Sequence, residues 1–349
     1  MLCYTYTNTT GDEQKRKYIM SDLRNLLIES SSIMAQESKK CFTDFAAFNS
    51  TNNTSTSESS CCDWYHAAWQ YLRVLDCVSA PQWHEEFYET AFKDIIRKNK
   101  GNINILVTGT ADYSILHILV PILLKESRQS TIDIIDLCNT PLKICSWYVD
   151  NCYKTGLNAQ QIINVDEKEK NKFPHSKNLN NKINFNFTNC NVSFYNTEKK
   201  YDIICSDAFL TRFDKKEVKS ITDKWRSLLK QDGRVVTTVR IHDANSSDIK
   251  DNVITMSKKI NRFCTKVVLE YEKLEKQEKE CLNVKSEDLR FMAFRYIERM
   301  KSNNLGNEDE INKLFMNSNL EIINKESSID TVKGEISETK YYRIVAKKA

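Results

Sequence analysis

Short apolar runs alternate with helical segments along the middle of the chain, and this pattern constrains the fold more than any other feature. From residue 101 the order is INILVTG, SILHILVPILLKES, TIDIIDL and TPLKICSWYVDNCYKTG. Short apolar runs predict buried strands, and the longer amphipathic segments between them predict helices. Strands that alternate with helices are typical of a parallel sheet with helices on its faces, so we expect an α/β fold.

The alternation continues towards the C-terminus with one interruption. Three further strands are predicted at KINFNF (182–187), YDIICSD (201–207) and GRVVTTVRI (233–241). A charged helix is predicted at 214–230, and the highly charged residues 247–303 form a helical insertion that breaks the pattern. After Gly306 a helix leads to LEIINKESSI and KYYRIVAKK, two strands that are expected to pair as an antiparallel hairpin. Seven strands are therefore expected.

Helices are also predicted ahead of the sheet. Residues 14–36 carry apolar side chains at helical spacing, and 63–99 form a second helical region that is broken near Pro81. Two polar stretches, 49–60 and 166–182, lack apolar periodicity, so we expect both to be surface loops.

The composition excludes several classes of protein. Hydrophobic residues make up 40% of the chain and charged residues 28%, as in ordinary globular proteins. The 51 Lys and Arg residues against 47 Asp and Glu form no basic block, so binding to nucleic acid is not predicted. The absence of a long apolar run or a secretory signal predicts a cytoplasmic protein that does not bind membranes. The twelve cysteines are scattered, which predicts reduced thiols and no metal site.

The turn after the first predicted strand is the first candidate site. Gly109 ends the strand where a helix begins, and the absence of a Cβ there lets backbone amides approach a ligand. The further glycines of a dinucleotide fingerprint are missing, since Thr110, Ala111, Asp112 and Tyr113 follow. A cofactor that carries an ammonium and a carboxylate but no phosphate fits better, and Asp112 is a candidate to neutralise its positive charge. S-adenosylmethionine is such a cofactor.

An acidic residue ends the second predicted strand. Asp136 is placed to accept hydrogen bonds from both ribose hydroxyls of an adenosyl ligand. The alternative is that Asp136 only caps the next helix, for which Asn139, Thr140 and Pro141 are equally good candidates.

Four segments resemble a group of bacterial class I S-adenosylmethionine-dependent methyltransferases: GTADYSIL, DLCNTPLKICSWY, YDIICSDAFLTRF and KWRSLLKQDGRVVTTVRIH. The resemblance spans residues 61–242. It implies a Rossmann-like, seven-stranded, mostly parallel sheet with an antiparallel last strand. It also implies that the turn after strand one holds the methionine part, the acid after strand two holds the ribose, and the residues after strand four face the transferred methyl. The implied cofactor-binding residues are Gly109, Thr110, Asp112, Tyr113, Asp136, Leu137, Asn189, Cys190, Asp207 and Ala208.

The chain departs from this family at two places. The usual glycine-rich turn is reduced to Gly109, and the polar residue after strand three is Asn189 rather than an acid. The Asn189 carbonyl oxygen is still able to accept a hydrogen bond from the adenine amine.

We divide the chain into an N-terminal helical region (1–99), a cofactor-binding core (100–246), a helical insertion that is a candidate substrate cover (247–303) and a closing helix and strand pair (304–349).

Candidate catalytic groups follow the fourth and fifth strands, because ligands of open α/β sheets bind beyond the carboxyl ends of the strands. Asp207 and the pair His242 and Asp243 are there, and either Asp207 or His242 is a candidate general base for methyl transfer. The alternative is that Asp207 orders the backbone or contacts the cofactor amine, and that His242 is an ordinary loop histidine.

The segment CDWYHAAWQYLRVL at 62–75 concentrates aromatic side chains ahead of the sheet. In one interpretation it covers a sulfonium with aromatic faces, with Tyr65 as a catalytic candidate and His66, Trp69 and Arg73 as substrate contacts. In the other interpretation the aromatic side chains simply dock the helix.

The sequence thus favours an enzyme that transfers a methyl group from S-adenosylmethionine to oxygen or nitrogen of a small molecule or peptide, in specialised metabolism. Two alternatives stay open. One is an NAD(P)-dependent oxidoreductase on the same fold, which the lone glycine disfavours. The other is a non-catalytic protein that keeps the sheet as a cofactor-binding scaffold or sensor.

Overall fold

The computed structural model describes residues 23–40, 65–154, 182–241, 253–300, 302–330 and 339–349. Its strands are β1 (Ile103–Thr108), β2 (Ser130–Asp136), β3 (Ile183–Asn189), β4 (Tyr201–Ser206), β5 (Leu229–Ile241), β6 (Leu320–Asp330) and β7 (Thr339–Lys348). Its helices are α1 (23–40), α2 (Tyr65–Val74), α3 (Glu85–Lys98), α4 (Ser114–Lys125), α5 (Asn139–Tyr148), α6 (Lys215–Leu228), α7 (Val253–Glu272), α8 (Lys276–Leu282), α9 (Ser286–Arg299) and α10 (Glu308–Met316).

One sheet of seven strands, in the order β3-β2-β1-β4-β5-β7-β6, organises these elements. The pairs β1–β2, β1–β4, β2–β3 and β4–β5 are parallel, whereas β7 lies antiparallel between β5 and β6. The α/β class, the mostly parallel sheet and the antiparallel last strand are confirmed. The chain moves outward from β1 to β3 and then returns to the other side of β1, so the strand order reverses between β1 and β4.

Successive side chains of a strand point to opposite sides of the sheet. Helices cover both faces here, so both sets of side chains are buried. Ile105 and Val107 of β1 join an apolar cluster that includes side chains of α1 to α5, α7 and α9. Leu106 points the other way, into a cluster built with α6 and α10. The strands are therefore buried along their length, which leaves their carboxyl ends as the place for a ligand.

The predicted helical insertion consists of α7, α8 and α9. Leu289, Met292, Ala293 and Tyr296 of α9 are buried and Ile297 is half-buried, in agreement with the periodicity of the sequence. Helix α9 packs against α7 and α2. The insertion therefore contacts the helices that precede the sheet.

Element ends differ from the sequence prediction at two places. Strand β5 begins at Leu229, because Leu229 pairs with Tyr201 ahead of a register shift in the β4–β5 ladder. Helix α5 ends at Tyr148 and continues as a π-helical turn, Val149–Lys154, which a 3.6-residue pattern does not distinguish from α-helix. No helix in the described ranges has the length and apolar character needed to cross a membrane.

Candidate functional site

The candidate site lies where the order of the strands reverses. Gly109 follows β1 and Asp207 follows β4, its parallel neighbour. On the other side of β1, Asp136 ends β2 and Asn189 ends β3, and these two residues are partners in the ladder. Parallel strands end at the same edge of a sheet, and ligands of open α/β sheets bind at this reversal. The fold thus brings four of the predicted site residues to one edge.

Gly109 has a φ of 61°, a left-handed backbone conformation that is unfavourable for residues with a Cβ. Its N–H donates to the Ile135 carbonyl at 3.1 Å, which ties the turn to β2. A Cβ on Gly109 would lie 1.9 Å from Cδ2 of Phe209, so the ring of Phe209 covers the bare face of the glycine. The sequence predicts that a ligand approaches that face of Gly109. In the structure the Phe209 side chain, from the loop after β4, lies against it instead.

Asp112 forms a buried ion pair with Arg73 of α2. The two side chains are only 2% and 3% exposed. Oδ2 of Asp112 also accepts the Trp69 indole N–H at 3.0 Å, and Oδ1 accepts the backbone N–H of Ser114 at 2.7 Å. Both carboxylate oxygens are thus engaged inside the protein. This corrects two expectations, because Arg73 neutralises Asp112 instead of facing a substrate, and Asp112 is not open to a cofactor cation.

The Asp112 carboxylate also binds the first residue of α4. Ser114 is the first residue of that helix, and its N–H and hydroxyl both donate to Oδ1 of Asp112. The first N–H groups of a helix are the usual partners of a bound phosphate. Here the Asp112 carboxylate, neutralised by Arg73, already accepts the first of them.

The aromatic segment of α2 packs against the helical insertion. The ring of Tyr65 stacks on Tyr296 of α9, with centroids 4.8 Å apart, and lies 6.2 Å from the Trp69 ring. The guanidinium of Arg212 lies 5.0 Å from the Tyr65 ring centroid and donates to the Tyr65 hydroxyl. Trp69 is 8% and His66 9% exposed, so these contacts agree with the docking interpretation.

Sequence reasoning did not single out Arg212 or Tyr296. Arg212 lies in the quoted motif DAFLTRF, in a short helix just after β4, and that position was a signal that it borders the site. Burial lowers the pKa of Arg212, but Tyr65, Tyr296 and Tyr341 outweigh this effect and raise it, so the side chain stays charged. Tyr296 appeared in the sequence only as an apolar position of a helix.

Tyr113 points into the core rather than towards the edge of the sheet. Its ring stacks on Tyr148 with centroids 4.8 Å apart, and its hydroxyl lies 3.0 Å from the Ser30 hydroxyl on α1. Burial raises the pKa of Tyr113 far above its ordinary value. The Tyr113 side chain is thus engaged in the core, where it contacts α1, and only its backbone lies at the turn after β1.

Asp136 is half-buried at the end of β2. Its Oδ1 accepts the backbone N–H of Cys138 at 2.7 Å. Burial raises the pKa of Asp136 to about 7, against the lowering effect of that hydrogen bond. Cys138 is the N-cap of α5, since its Sγ accepts the N–H of Thr140 at 3.4 Å. The alternative that Asp136 caps this helix is therefore wrong.

Asn189 joins the ends of β2 and β3. Its Nδ2 donates to the carbonyls of Asp136 and Leu137 at 3.1 and 2.7 Å, and the N–H of Cys190 donates to the Asp136 carbonyl at 3.0 Å. Leu137 is 48% exposed. These bonds fix the Asn189 amide against the end of β2.

Asp207 has two hydrogen-bond donors on one oxygen. Oδ1 accepts from the Tyr88 hydroxyl at 2.8 Å and from the Thr238 hydroxyl at 2.7 Å. Burial raises the pKa of Asp207. Ala208, the next residue, has a left-handed backbone with φ of 46°. The predicted candidates His242 and Asp243 lie outside the described residues, and within the described ranges no His, Cys, Asp and Glu side chains group as a metal site.

Comparison with known proteins gives solved structures only. No family model and no curated protein matches the chain. The magnesium protoporphyrin IX methyltransferase from Synechocystis, with bound S-adenosylhomocysteine, is 10% identical, with a TM-score of 0.43 over 82% of this chain and 96% of that chain. A SAM-dependent methyltransferase from Methanosarcina mazei is 13% identical, with a TM-score of 0.40 over 73% and 96%. An O-methyltransferase family 2 protein from Planctomyces limnophilus, in complex with apigenin, is 10% identical, with a TM-score of 0.41 over 81% and 62%. At these identities the choice of a function depends on the site's own residues.

Proposed function

We propose that this protein is an S-adenosylmethionine-dependent methyltransferase that acts on oxygen or nitrogen of a small molecule or peptide in specialised metabolism. The observation that carries the proposal is the Asp112 carboxylate at the N-terminus of α4, which accepts the Ser114 N–H. A dinucleotide places its pyrophosphate at this helix end and needs bare glycine beside it. Here the Asp112 carboxylate, paired with Arg73, already takes the first N–H of the helix, and Phe209 covers Gly109, so a phosphate-free cofactor is favoured over NAD(P).

The residues at the edge of the sheet fit an adenosyl ligand. Asp136 offers a carboxylate to the two ribose hydroxyls, and the Asn189 carbonyl offers an acceptor to the adenine amine. The backbone from Gly109 to Tyr113 faces the methionine part, and Leu137 and Cys190 flank the adenosine. The cofactor supplies an electrophilic methyl group on a sulfonium. Asp207 and Ala208 border the methyl acceptor, with Asp207 as the base and Tyr65, His66 and Trp69 on the substrate side.

Calorimetric titration tests the choice of cofactor. We expect the protein to bind S-adenosylmethionine and S-adenosylhomocysteine, and to bind a nicotinamide dinucleotide far more weakly or not at all. Binding of the dinucleotide alone would overturn the proposal. Labelled cofactor incubated with a cell extract separates an enzyme from a scaffold or sensor, because only an enzyme gives a labelled product.

Asp136→Asn is expected to weaken the binding of S-adenosylhomocysteine by about 1–3 kcal/mol, because charge-assisted hydrogen bonds to the ribose are lost. The wild-type protein should bind more tightly as the pH rises through about 7, the pKa of Asp136, since only the carboxylate accepts from both hydroxyls. Below that pKa the affinity should fall by about tenfold per pH unit. Calorimetry between pH 5.5 and about 9 measures both effects.

Asp94→Asn is the matched control for Asp136→Asn, because Asp94 is an exposed carboxylate on α3 that pairs with Lys98. It should leave affinity and pH dependence unchanged. Equal affinity of wild type and Asp136→Asn at all pH values would mean that Asp136 only orders the turn at Cys138.

A further inference from the structure

The carboxylate of Asp207 is held through one oxygen. Tyr88 of α3 and Thr238 of β5 both donate to Oδ1, at 2.8 and 2.7 Å. Oδ2 accepts no hydrogen bond from the residues that the structure describes. The donors come from two different elements, so they hold the carboxylate through Oδ1 and leave Oδ2 for another partner.

The donors are themselves oriented by the backbone around Asp207. The Thr238 hydroxyl accepts the N–H of Ala208 at 2.9 Å, which leaves its proton for Oδ1 of Asp207. The Tyr88 hydroxyl also lies 2.9 Å from the Ser206 carbonyl, so its one proton is shared between that carbonyl and Oδ1 of Asp207. Tyr88 thus contacts Ser206 and Asp207, and Thr238 contacts Asp207 and Ala208.

The backbone after Asp207 is strained. Ala208 has φ of 46°, a left-handed conformation that is unfavourable by about 1–2 kcal/mol for a residue with a Cβ. Such conformations persist where the surroundings over-determine them, and they concentrate at functional sites. The bond from Ala208 to Thr238 holds this turn. The strain therefore coincides with the carboxylate that directly follows β4.

We propose that Tyr88 and Thr238 are positioning residues that fix Asp207 so that its Oδ2 takes the proton of the methyl acceptor. This inference rests on the proposed methyltransferase function. The lone pair of the acceptor oxygen or nitrogen forms a bond to the methyl carbon, while the carbon–sulfur bond breaks and its electron pair stays on sulfur as a thioether. The acceptor proton passes to Oδ2 of Asp207.

The charges around Asp207 suit this role. Burial raises its pKa, and Asp112 in the turn after β1 raises it further, whereas the bonds from Thr238 and Tyr88 and the charge of Arg73 on α2 lower it. Burial raises the pKa of Tyr88 well above its ordinary value, so Tyr88 stays a donor. The balance makes Asp207 a stronger base than an exposed aspartate, while the two donors favour its ionised form.

Two substitutions test the positioning directly. Tyr88→Phe and Thr238→Val each remove one donor, so the carboxyl titration of Asp207, followed by ¹³C NMR and assigned with Asp207→Asn, should move to higher pH. The acid limb of the kcat profile should move in the same direction, while the affinity for S-adenosylhomocysteine stays unchanged. Thr238→Ser keeps the hydroxyl and should restore the wild-type titration. Asp207→Asn should lower kcat by about 10²–10⁴-fold.

Tyr342→Phe is the control for the loss of a buried tyrosine hydroxyl, since the Tyr342 hydroxyl donates to Asn312 of α10 rather than to Asp207. It should leave the titration of Asp207 unchanged. If Tyr88→Phe does not fold, the pair Thr238→Val and Thr238→Ser decides the question. An unshifted Asp207 titration in folded variants that bind the adenosyl ligand overturns the positioning role. Absence of adenosyl binding by the wild-type protein overturns the proposed function and the proton transfer with it.

Discussion

Asp112→Asn is expected to destabilise the protein by about 3–5 kcal/mol, because it leaves the buried guanidinium of Arg73 without a counter-charge. Both side chains are almost fully buried, so water cannot replace the lost partner. Trp69 and Ser114 also lose a charged acceptor. Urea unfolding followed by circular dichroism measures the change.

The exposed ion pair between Lys98 and Asp94 is the matched control for this loss. Its side chains are 76% and 58% exposed, so Asp94→Asn should change stability by less than about 1 kcal/mol. The double variant Arg73→Met with Asp112→Asn removes both charges, so we expect it to be more stable than Asp112→Asn alone. If the double variant is less stable than Asp112→Asn, the buried charge is not the cause.

Gly109→Ala is the second change with a large expected effect, a loss of about 2–5 kcal/mol of stability together with adenosyl binding. The left-handed backbone disfavours alanine by about 1–2 kcal/mol, and the new Cβ overlaps the Phe209 ring, for which overpacking adds about 1–3 kcal/mol. Urea unfolding and calorimetry measure the two losses. The turn that carries Asp207 and Ala208 should move with Phe209.

Gly101→Ala separates the overlap from the general effect of replacing a glycine. A Cβ on Gly101 has Asn99 Oδ1 at 3.8 Å as its nearest neighbour, which is ordinary contact. This variant should be nearly as stable as the wild-type protein. Similar unfolding free energies for Gly101→Ala and Gly109→Ala would contradict the contact with Phe209.

The fold was predictable because its signals are local. Each buried strand is a short apolar run, and the hairpin of β6 and β7 follows from two neighbouring runs. The same holds for α9, where Leu289 and Met292 lie on the buried side that the spacing predicts. Such patterns depend on a few consecutive residues and survive in a single sequence.

The partners within the site were not predictable, because they depend on residues far apart in the chain. Asp112 at the turn looked free to meet a cation, yet Arg73 from α2 neutralises it. The bare face of Gly109 looked reserved for a ligand, yet Phe209 covers it. Tyr88 was not singled out in the sequence, and only the tertiary structure places its hydroxyl on Asp207. The position of Asp136 at the end of β2 was predictable, since the end of a strand is itself a local signal.

The contact between Phe209 and Gly109 has a consequence for the evolution of this protein. It joins the loop proposed to border the acceptor to the turn proposed to face the cofactor, across the reversal of strand order. A substitution in residues 208–213 that changes the preferred acceptor would also shift the Phe209 ring and, through that ring, the turn that contains Gly109. Selectivity and cofactor affinity are therefore expected to change together, so a lineage that acquires a new acceptor must also readjust its hold on the cofactor.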